Sequence, residues 1–316
     1  MKKFLYKKRE YNYMLLPWFV VFAVSLFFLI KSADYFIDAA KKIGSFFGMS
    51  NFFIGVTIVA LGTSIPELAT SIVSVFRNVP EIVAGNVIGS NIANILLIIG
   101  LIVVIKKNIN IKKIETFEIF ALLTSTLLFF SFSLNGLITI IESSVLFFLY
   151  SVYVLLLFFN REKNKQNEQR VWKWKNLFVL IFSATIIYFS AEFVIKSVVL
   201  ISQIIGLGKE VVAVSAVAFG TSLPEIVVSL SALKKKSFVL AIGNIIGSNI
   251  FNSLIVIGVS GLFATLPVTN SLLSFALPLM LFATLFFLYL LKSQRIVLWH
   301  GIVFLTTYAY FLIRLF

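Results

Sequence analysis

Long apolar runs separated by short polar stretches fill this chain, and their lengths predict membrane-spanning helices throughout. We read spans at residues 14–40, 51–77, 81–105, 116–134 and 136–159, then at 176–204, 211–233, 237–263, 270–291 and 296–315. Each holds the roughly 20 residues that a helix needs to cross a hydrocarbon core. A polar linker at 160–175 divides the two groups of five, and the short Asn135-Gly136 turn is the narrowest break between neighbours. The pattern predicts an all-α polytopic membrane protein with ten transmembrane helices.

The two groups are copies of one another. Glu225 stands 158 positions after Glu67, and the same offset carries Asn94 to Asn252, Ser32 to Ser190, Gly48 to Gly206 and Gly100 to Gly258. Gly-Asn-x-Ile-Gly-Ser-Asn-Ile-x-Asn occurs at 85–94 and again at 243–252. Five is an odd number, so the second half enters the membrane upside down. We expect a first half at 1–159 with a basic tail at 1–13, a cytoplasmic linker at 160–175 and a second half at 176–316. The repeated cores lie at about 51–105 and 211–263. Inverted repeats with interrupted helices, binding at the midplane, are the pattern of secondary transporters.

The chemistry sits mid-span. Ala60-Leu-Gly-Thr-Ser-Ile-Pro-Glu67 recurs as Ala218-Phe-Gly-Thr-Ser-Leu-Pro-Glu225, placing one carboxylate and two hydroxyls inside each apolar run. An acid at that depth is costly and marks a functional site. Pro66 has no N–H for the Gly62 carbonyl, nor Pro224 for Gly220, so each helix is expected to kink or break there. A carbonyl freed inside a membrane needs another partner, and a cation is a suitable one. Thr63 and Ser64 flank Glu67 on one helical face, as Thr221 and Ser222 flank Glu225. These are hard oxygen donors suited to calcium and similar cations. Ser90 lies one turn from Asn94, and Ser248 one turn from Asn252; we assign all four to binding or gating. Asn86, Asn244, Asn91 and Asn249 are paired as well, and we assign them to packing or capping. Gly85 with Gly89, and Gly243 with Gly247, form small-residue surfaces that let a neighbouring helix approach.

Other polar positions fit structural roles. Asp34 and Glu192 are matched acids in the first and sixth spans, with a lesser claim to the ion path. Glu81 starts a helix after Pro80, while Glu118, Glu142 and Lys196 pair or reach toward the membrane surface. The single histidine, His300, follows Trp299 at a span edge and is expected to be interfacial.

Composition agrees with the pattern. Hydrophobic residues make up 60% and charged residues only 13%, against roughly 25% charged in soluble domains. There is no cysteine, which removes disulfides and thiolate metal sites. The net charge of +14 lies in short loops between spans, so it sets topology and does not indicate nucleic acid. Lys41, Lys42, Lys106, Lys107, Lys112, Lys113, the linker, Lys234 to Lys236, Lys292 and Arg295 fall on one side. That side is expected to be cytoplasmic, with both termini extracytoplasmic in a cell membrane, although the basic tail argues the other way.

Both motifs resemble the α-repeats of the sodium/calcium exchanger family, within the cation/calcium antiporter superfamily, and the ten-span pattern matches along nearly the whole chain. The resemblance implies exchange of Ca2+ for Na+ by alternating access, with these ions and the lipid bilayer as partners and no cofactor. It implies a Ca2+ site from Glu67 and Glu225 with the carbonyls of Thr63 and Thr221. Na+ sites would use Ser64, Ser90, Ser222 and Ser248 with the carbonyls of Ala60 and Ala218, and Asn94 would line the centre. Some members carry Asp where this chain has Asn252, so this core holds two carboxylates, matching one Ca2+ in charge. A proton/calcium exchanger shares the fold, whereas potassium dependence and a cation channel fit less well. A protease would need a catalytic dyad, which two glutamates in such company do not make, so no enzyme is expected.

Overall fold

The computed structural model describes residues 2–110, 116–160, 172–204 and 222–314. Its helices are α1 (Lys2–Phe46), α2 (Asn51–Phe76), α3 (Glu81–Lys106), α4 (Thr116–Ser133) and α5 (Ile140–Asn160). After the linker come α6 (Trp174–Ile204), α7 (Leu223–Lys234), α8 (Phe238–Gly261), α9 (Leu272–Ser293) and α10 (Leu298–Arg314). Eight helices among the described residues are long and apolar enough to cross a membrane. The chain is a multi-pass membrane protein of ten helices in two inverted sets of five.

The residues read as a basic tail lie ahead of the apolar span, which begins at Leu15, and from Lys2 onward they are helical as the start of α1. Nothing between Lys2 and Tyr13 is a glycine or proline, so no residue there stops the helix. The first part of the predicted span at 211–233 lies outside the described residues.

Burial separates a core from a periphery. The most apolar stretch of α8 is entirely buried and that of α3 is 72% buried, against 17% for α1 and 28% for α6. The helices carrying the repeated motifs are therefore wrapped in protein, while α1 and α6 pack on one another and turn apolar side chains such as Phe27, Phe28, Phe182 and Phe189 outward to lipid.

Two short strand pairs tie loops together at opposite ends. β1 (Asn108–Asn110) pairs antiparallel with β4 (Arg295–Val297), and β2 (Leu137–Ile138) with β3 (Leu266–Pro267). The first pair joins two of the lysine-rich loops. Lys41 also bonds Ser237, and Phe46 meets the Trp172 ring at 5.1 Å, so the basic loops gather at one face. Helix starts obey the repeat too. Thr139 N donates to Glu142 Oε2 at 2.8 Å before α5, and 158 positions on Val297 N donates to His300 Nδ1 at 3.1 Å before α10. His300 thus caps a helix in the place Glu142 holds in the first half.

Glycine lets α2 lie directly on α8. A Cβ at Gly247 would sit 2.3 Å from the Val56 carbonyl oxygen, and one at Gly243 2.5 Å from that of Phe52. Those are backbone atoms with no freedom to move aside, so the small-residue surface of α8 is required. The corresponding surface of Gly85 and Gly89 faces no such contact among the described residues, and the segment equivalent to 52–60 lies outside them.

Candidate functional site: a buried oxygen-lined cluster

The close approach of α2 and α8 brings the two repeats into one polar cluster. Thr63 Oγ1 donates to Asn244 Oδ1 at 3.3 Å, lies 3.5 Å from Ser248 Oγ, and reaches back to the Ala60 carbonyl at 3.3 Å. Ser64 Oγ donates to Glu225 Oε1 at 3.1 Å. Ser90 Oγ donates to Glu67 Oε1 at 3.5 Å, and Ser222 Oγ to Ser90 Oγ at 3.4 Å. Glu225 is thus served by a hydroxyl of the first repeat, Glu67 by Ser90 of its own repeat, and Ser222 links the second repeat to Ser90. Glu67 is 0% and Glu225 1% exposed, so water reaches neither.

The asparagines are cross-linked in the same way. Asn94 Nδ2 donates to Asn249 Oδ1 at 2.9 Å, and Asn252 Nδ2 donates to Asn91 Oδ1 at 3.2 Å. Asn86 Nδ2 reaches Ser71 Oγ at 3.1 Å and the Glu67 carbonyl at 3.4 Å, and Asn244 Nδ2 meets Ser229 Oγ at 3.0 Å. The packing role expected for Asn86, Asn244, Asn91 and Asn249 was incomplete: each contacts a site residue or its backbone. Their repetition in the motif was the signal, but spacing alone does not say which amide meets which.

Four buried acceptors of this cluster have no donor among the described residues: Glu67 Oε2, Glu225 Oε2, Asn94 Oδ1 and Asn252 Oδ1. They form two pairs related by the repeat. Leaving a buried acceptor unpaired costs about 1–3 kcal/mol, and more for a charged one. Four together approach the stability of a whole domain. Among the described residues no further Asp, Glu, His or Cys joins the two carboxylates. The arrangement can hold a hard cation, with two charges and neutral oxygens completing the shell.

Winding differs from expectation in one respect. The helix is not broken at Pro66: α-helical turns continue from Ala60 to Phe76, and the irregularity is a π turn at Gly55–Val59 upstream. Pro224 opens α7, with Glu225 in the first turn. Further π turns fall at Ala93–Ile99 and Asn252–Val256, the equivalent places in α3 and α8, each including the site asparagine. No periodicity in the sequence marks a π turn. Of the twelve expected site residues, Ala218 and Thr221 lie outside the described residues.

A cavity of about 590 Å3 lined by Phe36, Leu61, Gly62, Pro66, Tyr150 and Tyr188 also touches the Pro66 turn. Its lining includes no charged residue among the described residues.

Inverted repeats enclosing a buried polar centre define the architecture of a membrane transporter. The chain belongs to the sodium/calcium exchanger protein family, whose model matches residues 17–159 and 175–316. It is 33% identical to the sodium/calcium exchanger MaX1 of Methanosarcina acetivorans, over 94% of this chain and 98% of that one. An uncharacterised membrane protein of Methanocaldococcus jannaschii is 32% identical over 91% of this chain and 94% of its own length. The fold superimposes with a TM-score of 0.82 on the sodium-calcium exchanger NCX_Mj soaked with 2.5 mM Na+ and 0.1 mM Ca2+, at 31% identity over 94% of this chain and 97% of that one.

Proposed function

We propose that this protein exchanges Ca2+ for Na+ across the membrane by alternating access, with both ions bound in turn at the buried oxygen cluster. The observation that carries the reading is the set of four undonated oxygens, two carboxylate and two amide, in repeat-related pairs. A Ca2+ ion takes six to eight oxygens at about 2.3–2.6 Å. Glu67 and Glu225 would supply its neutralising charge, with the carbonyls of Thr63 and Thr221 as further ligands. Na+ would use Ser64, Ser90, Ser222 and Ser248, the carbonyls of Ala60 and Ala218, and the oxygens of Asn94 and Asn252. Two carboxylates neutralise one Ca2+, and the hydroxyls that now bridge to them can turn to a monovalent ion without moving the backbone.

Full burial of both carboxylates favours a carrier over an open pore, because an ion can leave only after one side opens. The lysine-rich face is the cytoplasmic one in this reading, which places both termini outside. The test is 45Ca2+ uptake by proteoliposomes with Na+, K+ or proton gradients imposed in turn. Uptake driven by the Na+ gradient alone is expected. Uptake driven equally by a proton gradient would replace Na+ as the coupling ion, and unitary currents in planar bilayers would replace the carrier with a channel.

A further inference from the structure

We propose that Asn91 and Asn249 are positioning residues that fix which atom of the two site asparagines faces the cation, an inference that rests on the exchange reading above. An amide side chain presents an acceptor at one corner and a donor at the other. Only the oxygen corner attracts a cation; the same side chain rotated by half a turn offers N–H and repels it. Something must therefore hold Asn94 and Asn252 in one of two sterically similar orientations. Each is held by the repeat it does not belong to. Asn249 Oδ1 takes the Nδ2 of Asn94 at 2.9 Å, and Asn91 Oδ1 takes the Nδ2 of Asn252 at 3.2 Å. With the nitrogens engaged, Asn94 Oδ1 and Asn252 Oδ1 are the atoms left without a donor. Asn91 and Asn249 are themselves 1% exposed, so no water can substitute for their oxygens.

The two positioning residues are not anchored alike. Asn91 Nδ2 donates onward to Ser253 Oγ at 3.0 Å, so its own orientation is fixed at both ends. Position 95, the repeat equivalent of Ser253, is Ile95, and Asn249 Nδ2 accordingly has no partner among the described residues. The sequence thus builds a three-member relay, Ser253 to Asn91 to Asn252, on one side and a two-member relay, Asn249 to Asn94, on the other. The pinning is stricter at Asn252.

The experiment compares Asn91→Leu and Asn249→Leu, which keep volume but remove the acceptor, with Asn91→Asp and Asn249→Asp, which keep an acceptor. Ser253→Ala releases Asn91 without touching either amide pair. Half-saturation for Ca2+ and maximal rate are read from Na+-driven 45Ca2+ uptake, and thermal unfolding in detergent is read with and without Ca2+. Both Leu variants should raise the half-saturating Ca2+ about 10- to 100-fold, the range for lost second-layer partners of a metal ligand. Their unfolding temperature without Ca2+ should fall modestly, because each leaves a buried amide N–H without its acceptor, and the stabilisation added by Ca2+ should shrink as well; the Asp variants should recover most of the affinity. Ser253→Ala should raise half-saturation several-fold at an unchanged maximal rate. Unchanged half-saturation in both Leu variants would overturn the proposal, as would a fall in rate and unfolding temperature together at constant affinity. Should the Leu variants fail to fold, Ser253→Ala decides alone, and a parental value there overturns it. A parent that neither transports Ca2+ nor is stabilised by it would instead remove the exchange reading itself.

Discussion

Replacing Glu225 by Gln takes one full charge from the site and leaves the volume unchanged, so it isolates the electrostatic part of binding. At a ligand distance of about 2.4 Å and an effective dielectric constant of about 20, a divalent ion and one carboxylate attract by about 14 kcal/mol. Ion dehydration offsets most of this. If only a tenth survives as net affinity, the loss is about 1.4 kcal/mol, or tenfold. Ca2+ carries twice the charge of Na+, so whatever fraction survives, the Ca2+ loss in kcal/mol should be about double that of Na+. Glu67→Gln should match Glu225→Gln, because the two carboxylates are related by the repeat and are equally buried. The assay is Na+-driven 45Ca2+ uptake in proteoliposomes, supported by the shift in unfolding temperature as each ion is titrated, which reports affinity by mass action. Flux at submillimolar Ca2+ should fall about tenfold or more while the protein still folds. Parental flux in either variant, or a larger loss for Na+ than for Ca2+, would refute the assignment of these carboxylates to the cation.

Three further outcomes are expected. Gly247→Val forces a side chain onto the Val56 carbonyl, 2.3 Å from the added Cβ, and should cost about 1–3 kcal/mol, seen as a lower unfolding temperature in detergent; an unchanged temperature would mean that α2 and α8 do not touch backbone to backbone. Asp34→Asn weakens the contacts of Asp34 with Ser231 Oγ (2.6 Å) and Lys234 Nζ (3.8 Å) and should cost about 0.5–1 kcal/mol of stability with ion preference unaltered; a changed Na+ to Ca2+ preference would instead place Asp34 on the ion path. A single cysteine at Asn167 should label only from the cytoplasm and one at Asn135 only from outside, and reversed labelling would mean that the basic N-terminal segment, not the loops, sets orientation.

Much of the fold was legible because membrane helices declare themselves by length and apolarity, and because a gapless offset of 158 residues projects every feature of one half onto the other. Glu67 and Glu225 stood out for the same reason: a repeated acid in an apolar run has no packing explanation. What could not be read was three-dimensional pairing. The motif shows that Asn91 and Asn249 matter, but only the crossing of α3 with α8 decides that each meets the site asparagine of the opposite repeat. The proline at position 66 was visible, but not that α-helical turns run through it from Ala60 to Phe76, nor that a π turn lies upstream at Gly55–Val59. His300 could have been recognised as a cap from its register with Glu142, a comparison of unlike residues that an identity-based repeat search passes over.

The same register shows where the two-fold relation ends. At the centre the halves are chemically matched: Glu with Glu, Asn with Asn, and each site asparagine held by an asparagine of the opposite repeat. At the basic face they are not. Lys235 Nζ bonds the Asp34 carbonyl at 2.7 Å and pairs with Asp38 at 2.5 Å, and Lys41 reaches Ser237, so α1 is fastened to the turn between α7 and α8. The equivalents of Ser231, Lys234, Lys235 and Ser237 are Val73, Phe76, Arg77 and Val79, while those of Asp38 and Lys41 are Lys196 and Val199. Lys196 would repel Arg77 where Asp38 attracts Lys235, so the fastening cannot form at the other face. A carrier that opens alternately to two sides needs equivalent chemistry only where the ion sits; at its mouths it is free to differ. The sequence keeps identity at the polar centre and abandons it where α1 and α6 meet the loops, so the residues of that polar fastening are not repeated in the other half.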